Sequence, residues 1–125
     1  MKCIPVIGLM SGTSFDGIDS SLIYTNGKKI IRTNFNLIVP YTKKTEQLIQ
    51  KFYKNPFNII QNHIERSILE NLITLEHINV VKKLIKLSKV TPYLIGFHGQ
   101  TIYHNPLKKM SVQLGDAQLM ANILK

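Results

Sequence analysis

The chain reads as an α/β fold: an antiparallel three-strand meander, then helices, then a further strand pair. Three observations predict this. The first 40 residues carry strand-like runs separated by glycine turns. Apolar residues from Glu46 to Ile85 recur at three- and four-residue steps, the period of a helix. After Thr91-Pro92, short apolar runs return between Gly, Asn and Pro.

The elements follow in order. Ile4 to Met10 is a continuous apolar run with Pro5 near its start, as expected of a strand covered on both faces. Gly12 and Gly17 bracket a polar turn. Ile18 to Thr25 reads as the second strand, with Leu22 and Tyr24 alternating against Ser21 and Ile23. Asn26-Gly27 is a strong hairpin signal, and Lys29 to Pro40 gives the third strand. Thr42 is the expected N-cap of a short helix through Glu46, Leu48, Ile49, Phe52 and Tyr53. Asn55-Pro56 punctuates, and Pro56 suits the first turn of a new helix. Ile60, Ile64, Ile68, Leu72 and Leu75, continued by Val80, Val81, Leu84 and Ile85, predict one long helix or two with a break near 77–79. Lys82, Lys83, Lys86 and Lys89 suit the negative end of its dipole. Tyr93 to Phe97, Thr101 to His104 and Ser111 to Leu114 read as strands. Ala117 to Leu124 reads as a final helix capped by Asp116.

Length and composition bound the class. The 125 residues suffice for one domain and one core. An apolar content of 44% suits a globular chain. The longest apolar runs fall short of the roughly 18 residues of a membrane span, and the run Cys3 to Met10 leads into a turn rather than a cleavage site, so neither a span nor a signal peptide is expected. Cys3 is the single cysteine and builds no internal disulfide; it reads as a buried strand residue in a reducing cytoplasm. Net charge is +9, but 14 of the 16 basic residues are scattered Lys and only Arg32 and Arg66 are Arg. Base readout favours Arg and interleaved aromatics. A nucleic-acid partner is therefore not expected, although the positive field favours a phosphate-bearing ligand.

Three constellations carry candidate chemistry. In Ser11-Gly12-Thr13-Ser14-Phe15-Asp16-Gly17, two glycines and three hydroxyls between strands can turn N–H groups toward an anion. Asp16 and Asp19 are candidates to hold Mg²⁺, directly or through water, because phosphates supply much of that ion's shell. No Lys follows and no helix opens there, so it is not a P-loop. On residue types an ordinary polar hairpin loop remains the other reading. In the second constellation, Gly96 to Thr101 with His104, the residues His98, Gln100 and Thr101 are candidates to bind sugar hydroxyls. A structural histidine is the other reading of His98. The third, Gln113-Leu114-Gly115-Asp116, offers N–H groups or a carboxylate at a helix start, or simply a cap. His63 and His77 are expected on a solvated or partly buried helix face, His104 in an exposed turn, and no His or Cys spacing suits a metal.

The run Ile7 to Asp19 closely resembles the opening of the anhydro-N-acetylmuramic acid kinases. His98-Gly99-Gln100-Thr101-Ile102 with His104 and Pro106 resembles that family's second signature, and Val112 to Asp116 its third. The resemblance covers the whole chain but only about the first third of the family's usual length. It implies a partial actin-like, hexokinase-type (ribonuclease H-like) kinase lobe: residues 1–125 as the N-terminal part of the first lobe, without the second. It implies ATP-dependent phosphorylation of 1,6-anhydro-N-acetylmuramic acid, with hydrolytic opening of the anhydro ring to give N-acetylmuramic acid 6-phosphate. The setting would be peptidoglycan recycling in the cytoplasm.

Family ATP contacts map onto Gly12, Thr13, Ser14, Phe15, Asp16, Gly17, Ile18 and Asp19. The family's catalytic Asp lies beyond residue 125, so no catalytic residue is expected in this chain. Phosphoryl transfer depends on enclosure between closing lobes, so the expectation is a truncated chain, inactive alone. A separately encoded second lobe or a homo-oligomer would be the partner that completes it. The rival reading is a non-enzymatic basic module that binds a protein or nucleic-acid partner on the same fold.

Overall fold

A computed structural model of the chain describes residues 2–11, 17–55 and 61–124. The first three strands are β1 (Ile4–Met10), β2 (Gly17–Thr25) and β3 (Ile30–Pro40). They form the expected antiparallel meander, with Ile7 opposite Leu22 and Ser20 opposite Leu37. The turn between β2 and β3 has four residues, Asn26 to Lys29, where Asn26-Gly27 suggests a two-residue hairpin. Thr25 pairs with Ile30, and Asn26 Oδ1 accepts from the backbone N–H groups of Lys28 (3.0 Å) and Lys29 (2.8 Å). A local Asn bond of this kind stabilises the wider turn. A bulge between Ser21 and Ile23 sets Leu22 against residues 33–35, where Thr33 Oγ1 donates to Leu22 O.

Two helices follow, α1 (Lys43–Lys54) and α2 (His63–Ser88); α2 packs across one face of this sheet and α1 packs against α2. Thr42 caps α1 by accepting from Thr45 N, and Glu76 of α2 accepts from Thr42 N at 2.8 Å, tying the two helices together. Pro56 and Ile60 lie outside the described residues. α2 is continuous, without the break considered near residues 77–79, and ends at Lys89 in the left-handed conformation (φ 59°).

The expected stripe needs correcting. Ile64, Ile68 and Leu75 are exposed, Ile64 by 75%, while Leu69, Ile73, Thr74, His77, Ile78, Val80, Val81 and Leu84 are buried. Apolar residues occur on most sides of this helix, so three- and four-residue steps fit more than one stripe. The sheet decided which was covered.

After α2 comes β4 (Leu94–Gly96), followed by β5 (Gln100–Asn105), β6 (Met110–Leu114) and α3 (Ala117–Leu124). β4 runs parallel to β1 and completes a four-stranded sheet of order β3-β2-β1-β4, while β5 and β6 form a separate antiparallel pair. Asp116 Oδ1 accepts from Leu119 N at 3.0 Å, as expected of the cap of α3. The core joins Ile7, Leu9, Ile18 and Leu22 of the sheet to Ile49 and Phe52 of α1 and to the buried row of α2. The expectation that β1 is covered on both faces fails among the described residues: Ile7 and Leu9 are buried, but Gly8 and Met10 are exposed.

Candidate functional site

Ser11 of the first constellation meets the second at Gly99, and Gly99 meets the third at Leu114 and Gly115. β1 and β2 stay paired up to Met10 opposite Asp19. Gly12, Thr13, Ser14, Phe15 and Asp16 lie outside the described residues. The flanks of the turn are defined. A Cβ on Gly17 would stand 2.7 Å from Val39 O, so a side chain there would push β2 off β3. Ile18 is buried in the core and serves the fold. Asp19 is exposed on the uncovered face, and its carboxylate has no partner among the described residues.

Ser11 is buried and directly follows β1. Its hydroxyl donates to Gly99 O at 3.0 Å and lies 3.2 Å from His77 Nε2. This joins the first constellation to the second. Gly99 has φ 80°, a conformation that favours glycine, and any Cβ there would collide with Leu114 O. A Cβ on Gly115 would in turn stand 2.7 Å from the Phe97 ring and 2.9 Å from Gly99 Cα. The second and third constellations thus touch through glycine, with no room for a side chain between them.

His77 is 1% exposed, unlike the solvated or partly buried position expected for it. Its ring packs between Tyr41 and Phe97, at centroid distances of 6.2 and 4.9 Å. Burial, aided by the charge of His98 and opposed by the bond to Ile73, lowers its pKa to about 4. The ring is therefore neutral near pH 7. Nδ1–H donates to Ile73 O at 2.7 Å, which leaves Nε2 as an acceptor facing Ser11. Tyr41 donates to Gln100 Oε1 at 2.8 Å. Burial raises the Tyr41 phenol well above its ordinary value, against a smaller opposing effect from Ser11.

The sugar-binding candidates differ in access. His98 is exposed, Thr101 is half-buried and accepts from Gln113 Nε2 at 3.4 Å, and Gln100 is fully buried between Tyr41 and its own bond to Thr101 O. His104 is exposed within β5. The N–H groups of the third constellation are already engaged: Gly115 N donates to Glu70 Oε2 at 3.1 Å and Asp116 N to Thr74 Oγ1 at 2.9 Å. Sequence reasoning missed Tyr41, Glu70, Thr74 and His77. His77 lies four residues after Ile73 and three before Val80, on a row whose burial shows only in the folded chain. Among the described residues no group of three or more His, Cys, Asp or Glu is arranged to hold a metal ion, and no helix is long and apolar enough to cross a membrane.

The family model described as anhydro-N-acetylmuramic acid kinase matches residues 4–124. An anhydro-N-acetylmuramic acid kinase of Rhodospirillum rubrum is 40% identical over 118 residues, covering 94% of this chain and 31% of that protein. One from Gluconobacter oxydans is 37% identical over 118 residues, covering 94% of this chain and 33% of its own length. One from Pelagibacter ubique is 37% identical over 123 residues, covering 95% and 32%. The chain spans about a third of the length of these curated relatives. On its motifs, its fold and this match, the chain belongs to the anhydro-N-acetylmuramic acid kinase family.

Proposed function

We propose that this chain is the phosphate-facing N-terminal part of the first lobe of an actin-like sugar kinase acting on 1,6-anhydro-N-acetylmuramic acid. The observation that carries the reading is the Ser11–Gly99 bond, which brings the turn after β1 against the His98–Thr101 segment. A nucleotide turn and a sugar-facing segment must adjoin if one phosphoryl group is to pass between them.

In the reaction, the γ-phosphoryl group of ATP passes to the 6-oxygen of the sugar. Water adds at C1 as the C1–O6 bond breaks, and its proton goes to a base. ADP and N-acetylmuramic acid 6-phosphate result. Gly12 to Asp19 would bind the phosphates through N–H groups and hydroxyls. His98 and Thr101 would meet the sugar, with Gln100 fixing their strand from below through Tyr41. Asp19 fits a Mg²⁺ ion held with Asp16, since its carboxylate is exposed and unpaired among the described residues. Magnesium keeps most of its water and phosphate ligands and needs only one or two carboxylates; bound there, it would offset phosphate charge. The base belongs to a part of the family fold outside these 125 residues. The site is read as cytoplasmic, where ATP is available.

The test is thermal unfolding with and without MgATP. Saturation near 100 times the dissociation constant should add about 2.7 kcal/mol, several degrees for a domain of this size. Absence of any shift, with no heat of binding, would overturn the nucleotide reading. Ordinary kinase turnover by the 125 residues alone, read as sugar 6-phosphate by ³¹P NMR, would overturn the placement of the base.

A further inference from the structure

Helix α2 reaches two separate constellations from one face. Glu70, Thr74 and His77 are spaced by four and three residues, so they project side by side. Glu70 Oε2 accepts from Gly115 N at 3.1 Å, Thr74 Oγ1 accepts from Asp116 N at 2.9 Å, and His77 Nε2 lies 3.2 Å from Ser11 Oγ. Thr74 also donates to Glu70 O at 2.8 Å, which orients its hydroxyl to accept from Asp116.

The His77 end is the more constrained. Ser11 has one hydroxyl proton and two acceptors, Gly99 O and His77 Nε2. With Nδ1–H committed to Ile73 O, Nε2 can only accept. The hydroxyl can rotate between the two acceptors without moving Ser11, so either arrangement holds the residue that precedes Gly12. Gly99 stands between the two ends of the row, touching Ser11 on one side and Leu114 and Gly115 on the other.

We propose that the row Glu70–Thr74–His77 positions the phosphate turn: His77 holds Ser11, Glu70 and Thr74 hold Gly115 and Asp116, and one rigid helix sets the distance between the two constellations. These are positioning residues, since each acts through another residue. The role as applied to nucleotide rests on the nucleotide reading above.

The test compares the wild-type chain with His77→Phe, Thr74→Val and Thr74→Ser, each under conditions where circular dichroism shows it folded. MgATP affinity is measured by calorimetry, and backbone order by NMR relaxation at Ser11 and Gly17. His77→Phe keeps the ring and removes the acceptor. It should weaken MgATP binding by about tenfold, the loss of one buried hydrogen bond, and lower the order parameters at Ser11 and Gly17 from about 0.85 toward 0.6. Thr74→Val should speed exchange of the Asp116 amide by about tenfold, and Thr74→Ser should restore it. A folded His77→Phe chain that binds MgATP as tightly as the wild type overturns the proposal. If the wild-type chain binds no MgATP, the nucleotide reading fails and backbone order decides: loss of order at Ser11 and Gly17 upholds the positioning role, and unchanged order overturns it.

Discussion

The two faces of the β3-β2-β1-β4 sheet are made by the same strands and have opposite fates. One face carries Ile7, Leu9, Ile18 and Leu22, all buried, under α2 with α1 packed against it. The other carries Met10, Ile38 and Leu94, exposed by 57%, 78% and 56% among the described residues. Alternation puts neighbouring residues on opposite faces, but it does not say which faces a helix will cover. The covered face also contains the polar network of Ser11, Tyr41, His77 and Gln100, satisfied internally. Buried polar groups of that kind hold one arrangement because any other leaves them unpaired. Rigidity therefore comes from the helix side, and this is the side on which the turn after β1 is anchored.

The largest effect should come from emptying the covered face. Phe52 is fully buried on α1. Phe52→Ala should cost about 3–5 kcal/mol, read as a lower urea midpoint. A cost below about 1 kcal/mol would mean the covered face is no better packed than the open one.

Acid probes the polar part of the same face. His77 has a pKa near 6.5 when unfolded and about 4 when folded. The unfolded chain therefore binds the proton more readily, and stability rises with pH through this window. The stabilisation of the neutral ring is fully present above about pH 6.5 and is lost as pH falls toward 4, by roughly 3 kcal/mol. Unfolding free energies from pH 7 to 4 should show this slope, and His77→Phe should abolish it. An unchanged slope in that variant would assign the acid sensitivity to other groups.

The smallest effect belongs to the open face. Ile38→Thr keeps a β-branched strand residue where no helix among the described residues lies above it. It should change stability by no more than about 0.5 kcal/mol. A loss above about 2 kcal/mol would show that this face is covered in solution.

Much of the site is legible in the order of residues. The hydroxyl-and-glycine run after β1, the His98–Thr101 segment and the Gly115-Asp116 helix start are local patterns, visible as sequence neighbours. The strands that carry them and the caps at Thr42 and Asp116 are legible for the same reason, since a cap is a bond between residues three apart. What joins the patterns is not legible. Ser11 and Gly99 are 88 residues apart, and Ser11 and His77 are 66 apart. Nothing in the periodicity of α2 distinguishes the row that contains Ile73 and His77 from the row that contains Ile64 and Leu75.

The amino-acid sequence alone dictates the order of elements, the turn chemistry, the family and the residues from which a phosphate site would be made. Backbone preferences and short-range hydrogen bonds act within a few residues, so they are written in local order. Three outcomes needed the folded chain: which stripe of α2 is buried, that β1 is covered on one face among the described residues, and that His77 is a neutral acceptor beneath Ser11. Those outcomes depend on long-range burial, which takes water away from one side of each element and leaves it on the other.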